Sequence, residues 1–557
     1  MKHIFGTVLA TLGAATLSAA TLTVTSTLDD DSAGTLRSVL ASASDGDIIV
    51  FDDSLQGQTI KIVHRTHADW AIPISASVSI VGPEDKSITL DGGFNGGQDS
   101  GSRIFAVNNP SASLSCKNLV FQNANGRDWG SQIAYGGAIY SEGDVFLDSC
   151  SFVSNRVGAI KISGRKSVTG GAAAHVLGDL TVTNCEFIGN MAPAGPITGC
   201  VLIPLGDNFV IKNSNFIENK SSSYCAGICI SPEVSNVLIE DCNFIGNIAG
   251  GHSCRGGAIY VLRNTAAKIL INRCIFRNNG FKGTGTLGGS IYMDSGTNKF
   301  VIANSEFSGC RTGGAGGGSV RVEGGHECIL VNCTSANNTA GSHGAGLDLR
   351  SPSYLVNCTV VGNALYDPGD KSASGGIYHG SAKLKLLNTV VVHNYYMNSG
   401  YVGTTGNIYN KISSSDLLAT ASLADGSVAD DEKELFAEYG TMDRIYQHYD
   451  TNPTEFVFAE PVPVPLLNND EKRSRVVEIA KLGPLDGKGY LVKMTDDFSY
   501  VAYSKDRGAT WTTFYGEESD GAKLLLHDQR GVQYSEKRVP IGAAAFDFPL
   551  ATIIIIK

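Results

Sequence analysis

The sequence has little positive charge and no long apolar run beyond its N-terminus. Its 557 residues include 43 Lys and Arg against 54 Asp and Glu, which gives a formal net charge of -11 at pH 7. Lys and Arg are scattered singly rather than along a stripe, so we do not expect nucleic acid as a partner. After residue 20 no apolar segment approaches the roughly 20 residues of a transmembrane helix, so we expect none.

Two further patterns are missing although their residue types are abundant. Glycine accounts for 66 residues, but no Gly-X-Y period runs through the chain, which excludes collagen. Cysteine accounts for 13 residues, but no CxxC pair occurs, and His252 is the only imidazole close to the cysteines at 225, 229 and 254. We therefore expect no zinc site or other metal, and no pattern implies a cofactor.

The N-terminal twenty residues, MKHIFGTVLATLGAATLSAA, have the form of a secretory signal. Lys2 precedes an apolar run of about fourteen residues, and small residues follow at Ser18 and Ala20. We interpret residues 1–20 as a signal peptide that is cleaved after Ala20. The mature protein should then be secreted or attached to the cell surface, with association to an outer membrane as one possibility.

A pattern of four residues, Phe-x-x-Asn, returns roughly every thirty residues, as FVSN at 152, FIGN at 187 and 244, FIEN at 216 and FRNN at 276. Upstream of each Phe, apolar residues alternate with polar ones, as in LTVTNCEF at 180, which indicates a strand. A further short element, GGAIY at 136 and 256 and GGSIY at 288, predicts a second strand after a glycine corner.

Short strands repeated at this spacing cannot bury a hydrophobic face alone, whereas stacked units can. We therefore predict an all-β protein, a right-handed parallel β-helix over residues 61–412. Residues 21–60 should form an N-terminal cap and first strand, with a short amphipathic helix in AGTLRSVLASA at 33–43. Residues 413–557 should form a small, mostly β C-terminal region.

Stacking also explains why the motif repeats. Equivalent residues of adjacent coils should lie one strand spacing apart, about 4.8 Å, so identical side chains form ladders. We expect a structural role for an inner phenylalanine stack and an amide ladder, formed by Phe152, Phe187, Phe216, Phe244 and Phe276 and by Asn155, Asn190, Asn219, Asn247 and Asn279.

The cysteines divide into two groups. Six share one column, two residues before the phenylalanine position, and their spacing favours a buried thiol ladder over disulfides: Cys150, Cys185, Cys242, Cys274, Cys333 and Cys358. Cys225 and Cys229, with Cys200 and Cys254 nearby, are better candidates for a disulfide.

The outward positions of the glycine-led strand supply the candidate binding residues. If the coils stack in order, they form one contiguous surface stripe in which aromatic rings could stack on sugars and arginines could bind hydroxyls or uronates. The predicted ligand-binding residues are Tyr260, Tyr292, Arg321, Arg350 and Tyr378. The alternative is a solvated strand face without a ligand.

The same stripe contains three carboxylates that could act in catalysis, Asp294, Glu323 and Asp348. They lie on neighbouring coils, so a carboxylate pair of the glycosidase type is geometrically possible, and His343 and His379 are candidate bases. However, no local motif diagnostic of polysaccharide lyases or glycosidases occurs. We therefore favour a binding protein and retain a polysaccharide lyase or glycoside hydrolase as the alternative.

The repeats also resemble known families. The GGAI and FxxN pair is similar to the repeat of chlamydial polymorphic outer membrane proteins and other bacterial β-helix adhesins. The segment from TLTVTST to DGDIIVF resembles the cap of exported β-helix proteins, whose SLREAI core is TLRSVL here. These resemblances imply an adhesin-like bacterial surface protein whose partner is a polysaccharide or a glycoconjugate of the host or cell surface.

Two motifs in the C-terminal region carry resemblances of their own. DQRGVQYSEKRVPIGAAAF at 528 resembles the closing motif of choice-of-anchor surface proteins, although the final acid is replaced by Ala545 and Phe546. SKDRGATW at 504 resembles the Asp-box of sialidases and other propellers. That resemblance implies a hairpin turn rather than an active site, and the turn would be stabilised by Ser504, Asp506, Gly508 and Trp511.

Overall fold

The computed structural model describes residues 19–63, 71–85, 88–97, 100–126, 135–157, 170–192, 200–222, 224–250, 254–263, 266–281, 287–313, 316–365, 374–380, 383–392, 394–396, 408–410, 417–420, 423–424, 489–529, 533–536 and 539. Nearly all of the predicted signal peptide and the IGA segment of the choice-of-anchor motif lie outside these residues.

The described chain winds into a parallel β-helix with three long sheets, here called A, B and C. Sheet A pairs, in order, Thr21–Val24, Ile48–Phe51, Val78–Val81, Leu114–Lys117, Val145–Asp148, Leu180–Thr183, Asn208–Lys212, Asn236–Glu240, Lys268–Asn272, Lys299–Ala303, Glu327–Val331, Ser353–Val356, Leu384–Leu387 and Leu417–Thr420.

Sheet B follows sheet A within each coil. It pairs Thr59–Lys61, Thr89–Asp91, Val120–Gln122, Ser151–Val153, Glu186–Ile188, Asn215–Ile217, Asn243–Ile245, Ile275–Arg277, Glu306–Ser308, Thr334–Ala336, Thr359–Val361, Val390–Val392 and Leu423–Ala424. The solenoid strands therefore continue past residue 412, where the sequence pattern becomes irregular.

Sheet C begins each coil and contains the glycine-led strands. It pairs Ile72–Ile74, Phe105–Val107, Ile139–Ser141, Ala174–Val176, Leu202–Pro204, Ile228–Ile230, Ile259–Val261, Ile291–Met293, Val320–Val322, Leu347–Leu349, Ile377–His379 and Ile408–Asn410.

Short corner strands connect sheet B to the next strand of sheet C. One group pairs Asn125–Gly126, Arg156–Val157, Met191–Ala192, Lys220–Ser221, Ile248–Ala249 and Gly280–Phe281, and the other pairs Thr339–Ala340, Ala364–Leu365 and Tyr395–Tyr396. The all-β parallel solenoid predicted from the repeats is confirmed.

Local sequence explains the shape of each coil. In Asn208–Lys212 the side chains of Phe209 and Ile211 point inward and are buried, while Val210 and Lys212 point outward. One residue in the left-handed region then turns the chain from sheet A to sheet B, such as Asn213 with φ of 48°. Gly256 precedes the sheet C strand Ile259–Val261 and has a φ of 69°. A Cβ at this position would lie 1.9 Å from the Ile259 carbonyl oxygen, so only glycine fits.

The phenylalanines of the FxxN motif stack inside the solenoid. Phe152 pairs in register with Phe121 and Phe187, and the ring centroids lie 4.7 Å and 5.1 Å apart. The stack continues through Phe216, Phe244, Phe276 and Phe307. Every ring is fully buried, so this column is a continuous part of the core.

The motif asparagines form an amide ladder beside this stack. Asn190 Nδ2 donates to Asn219 Oδ1 at 3.0 Å, and the same oxygen accepts from the Asn190 backbone N–H at 2.9 Å. Asn190 Nδ2 also donates to the Phe152 carbonyl at 2.9 Å. The same pattern relates Asn155 to Asn190, Asn219 to Asn247, and Asn247 to Asn279. Each buried amide is thus satisfied by the neighbouring coils.

All thirteen cysteines are buried, and no disulfide joins the described ones. In the predicted column, thiols donate to backbone carbonyls, as Cys242 Sγ does to Glu240 O at 3.1 Å. The expected disulfide between Cys225 and Cys229 is not formed. Cys225 Sγ instead donates to the carbonyl oxygen of Ile228 at 3.2 Å and lies 3.4 Å from that of Ala258.

A short helix, Leu36–Ser42, closes the N-terminal end of the core. Thr35 caps it by accepting from the Ser38 N–H, and Leu36 and Leu40 are buried in the core. The buried Arg37 forms an ion pair with Asp29 at 2.8 Å. A 3₁₀ turn, Asp53–Leu55, follows the second strand of sheet A. The helix covers apolar residues that the first coil would otherwise expose.

The C-terminal residues form an antiparallel sheet of Thr512–Tyr515, Val501–Ser504, Leu491–Met494 and Lys523–Leu524. The Asp-box joins two of these strands, and Asp506 accepts from the Thr510 N–H at 2.8 Å while Ser504 Oγ accepts from the Gly508 N–H at 2.7 Å. The motif therefore stabilises a hairpin turn.

This small sheet packs on the outer face of sheet A. Val301, Ile329 and Val356 point outward from the solenoid and share one apolar cluster with Val492 and Phe514. Polar contacts fix the docking: Tyr515 Oη donates to Glu327 Oε2 at 2.6 Å, and Asn388 exchanges hydrogen bonds with the Tyr490 backbone at 2.8 and 2.9 Å. The later strands of sheet A are thus apolar on both faces.

The phenylalanine stack gives a direct stability prediction. Phe216→Ala removes a fully buried ring between two stacked neighbours and should destabilise the solenoid by about 3–5 kcal/mol. Phe146→Ala serves as the matched control, since that ring lies on the outer face of sheet A with 44% of its surface exposed. This substitution should lower the free energy of unfolding by about 1 kcal/mol or less. Urea unfolding of both variants measures this difference, and equal midpoints would contradict the inner stack.

Candidate functional site

Five residues of the predicted stripe occupy one column on the outer face of sheet C, and Asp294, Glu323 and Arg350 follow the ends of their strands. Tyr260 pairs in register with Tyr292, Tyr292 with Arg321, Arg321 with Asp348, and Asp348 with Tyr378. The glycine-led strands therefore bring these side chains together in the order that the repeats predict.

The column is not a solvated surface stripe, which corrects the expectation. Tyr260 is 3% exposed, Tyr292 2% and Asp348 0%. Tyr260 and Tyr292 pack in an apolar cluster with Cys229, Leu262 and other residues outside the solenoid core. Because the rings are covered, their faces are not available for stacking on a sugar.

The first half of the column is organised around Asp294. Arg255 Nη1 lies 2.6 Å from Asp294 Oδ2, and the Tyr260 hydroxyl lies 3.3 Å from the same oxygen. Arg255 also lies over the rings of Tyr260 and Tyr292, 6.0 Å and 5.3 Å from their centroids. Arg263 adds a longer contact to Asp294 at 3.4 Å. The carboxylate is thus neutralised where it is buried.

The second half alternates arginines and acids. Arg321 Nη2 lies 2.7 Å from Glu323 Oε1, and its Nη1 lies 3.1 Å from Asp348 Oδ2, close enough for an ion pair but not aligned for a hydrogen bond. Arg350 Nε donates to Asp348 Oδ1 at 2.9 Å, and its guanidinium lies 5.2 Å above the Tyr378 ring. Asp348 is therefore held between two arginines.

These contacts do not resemble a prepared acid and base. Each candidate carboxylate has an arginine partner, and Asp294 and Asp348 are too buried to reach a polymer. Desolvation raises the pKa of Tyr260 and Tyr292, so both hydroxyls stay protonated. Of the two candidate bases, His379 is fully buried, and His343 makes a perpendicular ring contact with Tyr378 at 4.6 Å.

Earlier coils place a second group in the same outward column, in which His175 is buried and Tyr135 and Tyr140 are partly exposed; the sequence pattern did not single it out. Tyr140 and His175 pair in register, and the His175 ring lies 4.6 Å from that of Tyr135. Burial, together with the nearby Arg103, lowers the pKa of His175 to about 3. The imidazole therefore stays neutral, and the group packs against the solenoid as the tyrosine and arginine column does.

The groove that is open to solvent lies instead on the outer face of sheet A. A groove of about 520 Å³ follows its outer face beside the C-terminal sheet, a volume within the usual range of ligand sites. Its apolar floor is formed by the outward side chains of Val210, Leu238, Leu270 and Val301, which pair in register from coil to coil.

Polar side chains line the groove on two sides. One edge is the column of strand-start residues Asn208, Asn236, Lys268 and Lys299, again paired in register. Asn236 Nδ2 donates to Asn208 Oδ1 at 3.0 Å, which orients both amides. The groove thus combines an aliphatic floor with hydrogen-bonding groups repeated once per coil.

The C-terminal sheet supplies the end of the groove through Asp497 and Ser499. The Ser499 hydroxyl donates to Asp497 Oδ1 at 2.6 Å. The hydrogen bonds from Ser499 lower the pKa of Asp497 to about 2. Asp497 is therefore ionised near Lys299, whose ammonium lies 5.6 Å from the Tyr515 ring centroid.

Sequence reasoning missed this groove because it depends on where the C-terminal sheet docks. One signal was present: the outward positions of sheet A are aliphatic in four successive coils, although a solvated face would place polar residues there. The lysines at 268 and 299 also stand at the same repeat position. Neither signal predicts which coils the C-terminal sheet leaves exposed to solvent.

No helix among the described residues is long and apolar enough to cross a membrane. No group of three or more His, Cys, Asp or Glu side chains in that part of the chain could hold a metal ion.

Comparison with known proteins supports the fold. Residues 100–294 match the family model described as the right handed beta helix region. With the parallel sheets described above, the protein is a right-handed parallel β-helix. A comparison with curated proteins finds no match.

Two solved structures are similar to this chain at low sequence identity. Tailspike protein 3 of bacteriophage CBA120 has 12% sequence identity and a TM-score of 0.36, over 72% of this chain and 61% of the tailspike, so this chain spans less than two thirds of its length. A PL6 alginate lyase, solved with a trisaccharide, has 16% identity and a TM-score of 0.38, over 74% of this chain and 87% of the lyase. The functional interpretation therefore rests on this chain's own residues.

The buried arginine column gives a second stability prediction. Arg321→Met should cost about 3–5 kcal/mol, because Glu323 and Asp348 lose a shared partner while Asp348 stays buried. Arg263→Met is the control, since that side chain is mostly exposed, and should cost under about 1 kcal/mol. Thermal unfolding compares the two variants. A silent Arg321→Met would mean that the acids are solvated and accessible after all.

Proposed function

We propose that the protein is a glycan-binding β-helix at the cell exterior and that the groove on sheet A is its binding site. The observation that carries this proposal is the combination of an aliphatic floor and a polar edge that both repeat with the coils. Each coil along the groove therefore contributes one aliphatic floor residue and one polar edge residue.

This arrangement suits an extended sugar chain. A sugar ring has an apolar face of C–H groups and a rim of hydroxyls, so it pairs an aliphatic floor with amide, ammonium and carboxylate partners. Adjacent coils repeat at about 4.8 Å, so successive rings of one chain could meet equivalent partners. Binding then results from several weak contacts that act together on one polymer.

Binding without cleavage fits the groove chemistry. Hydrolysis of a glycosidic bond ordinarily requires two carboxyl groups that flank the bond. The groove lining contains a single carboxylate, Asp497, whose low pKa keeps it ionised and unable to act as a general acid. Asp294, Glu323 and Asp348 lie instead in the arginine column on sheet C. The hydrolase alternative therefore lacks its carboxylate pair in the groove.

The location at the cell exterior belongs to the same proposal. It is supported by the signal-like residues 1–20 and by the resemblance of the repeats to bacterial surface adhesins. A rigid solenoid that presents one groove along its side is suited to an adhesin-like role.

A binding experiment tests the groove directly. Residues 21–557 are passed over immobilised acidic and neutral polysaccharides, and retention is measured together with the release of new chain ends. Leu238→Ser removes apolar surface from the middle of the floor, so we expect retention to fall about 5- to 10-fold, since one half-buried leucine contributes roughly 1–1.5 kcal/mol.

Two controls separate the groove from other surfaces. Phe146→Ser changes the same outward column of sheet A outside the groove, so its retention should match the wild type. Asp294→Asn should leave retention on the polysaccharide unchanged. No new polysaccharide chain ends should form with the wild type or with any variant. New ends that disappear in Asp294→Asn would refute the proposal in favour of a depolymerase.

A further inference from the structure

We infer that the groove on sheet A selects anionic glycans and that Lys268 is the residue that contacts their carboxylate or sulfate groups. The inference rests on the proposed function and names the ligand class of that same groove. The polymer expected is one that carries a negative charge at regular intervals, such as a polyuronate or a sulfated glycan.

Two other lysines on the outer face of sheet A are each neutralised by an acid on the next coil. Lys117 lies 3.4 Å from Asp148, and Lys212 lies 3.2 Å from Glu240. Lys268 breaks this arrangement, because the residue paired with it on the next coil is another lysine, Lys299.

Two like charges directly opposite each other on a sheet destabilise it. Lys299 is compensated by its surroundings, since it has the ionised Asp497 nearby and lies against the Tyr515 ring. On its far side it pairs in register with Glu327. Lys268 is exposed and has Asn236 on its other side, and among the described residues no acid forms an ion pair with it. It is the uncompensated cation of the groove.

Charge complementarity then indicates the occupant. The groove lining carries two lysines and one carboxylate on a protein whose formal net charge is -11. A ligand anion beside Lys268 would receive a charge-assisted hydrogen bond and relieve the repulsion from Lys299. Asp497 stands beside Lys299, so the anion should bind at Lys268, which forms no ion pair with an acid among the described residues.

The neutral partners of the groove distinguish a glycan from a simple polyanion. Asn208 and Asn236 continue the lysine column, and their amides can bind hydroxyls. The aliphatic floor of Leu238 and Leu270 offers no aromatic ring on which a nucleic-acid base could stack. A polymer of charged sugar rings matches both the ammonium group and the amide and aliphatic surfaces.

The test compares two ligands that differ only in charge. Polygalacturonate and its carboxyl-reduced form are offered to the full mature chain at low and at 0.5 M salt, and affinity is measured by titration calorimetry. We expect polygalacturonate to bind more tightly, and Lys268→Gln to weaken it on the order of tenfold at low salt while leaving the reduced polymer unaffected.

Lys220→Gln is the matched control, because it removes the same charge from an exposed corner strand away from the groove. Its affinity should equal that of the wild type, and an equal loss in both variants would overturn the assignment to Lys268. Equal binding of both polymers would refute anion selection while leaving glycan binding intact, whereas binding of neither would refute the proposed function itself. Equally tight binding of single-stranded DNA would show that the groove reads charge alone, contrary to the inference.

Discussion

The structure depends on one constraint, which is that equivalent residues of successive coils lie one strand spacing apart in parallel register. At about 4.8 Å, identical rings stack and identical amides bridge, so each coil satisfies its neighbour. Phe216 lies between Phe187 and Phe244 with centroid distances of 4.6 and 4.8 Å, and Asn219 bonds to both adjacent asparagines. The insertions between coils are tolerated because they fall outside these ladders.

The same register decides the chemistry of the outer surface, where columns of unlike residues also stack. On sheet C it brings tyrosines, arginines and acids into one covered, mutually neutralised column around Asp294 and Asp348. On sheet A it brings aliphatic residues into line, and the C-terminal sheet covers only the later coils. What remains partly open, over Val210, Leu238 and Leu270, is the groove to which we assign the function.

Much of the fold was predictable from sequence because its signals are local and repeated. The FxxN period fixes the coil, the alternation fixes which side chains of Asn208–Lys212 point inward, and the register of Tyr260 with Tyr292 follows. Burial on the outer face was not predictable, since it depends on contacts between distant segments. Tyr260 repeats like an exposed residue but is covered, and Val301 is apolar because it meets Val492 and Phe514 from the C-terminal sheet.

The most direct test of the central claim is a crystal structure of the mature chain soaked with an oligosaccharide of polygalacturonate. We expect sugar density along sheet A, over Leu238 and Leu270, with a carboxylate beside Lys268. Density over Tyr260 and Tyr292 on sheet C, with those rings uncovered and Arg255 turned from Asp294 to the ligand, would contradict it and return the site to the tyrosine column.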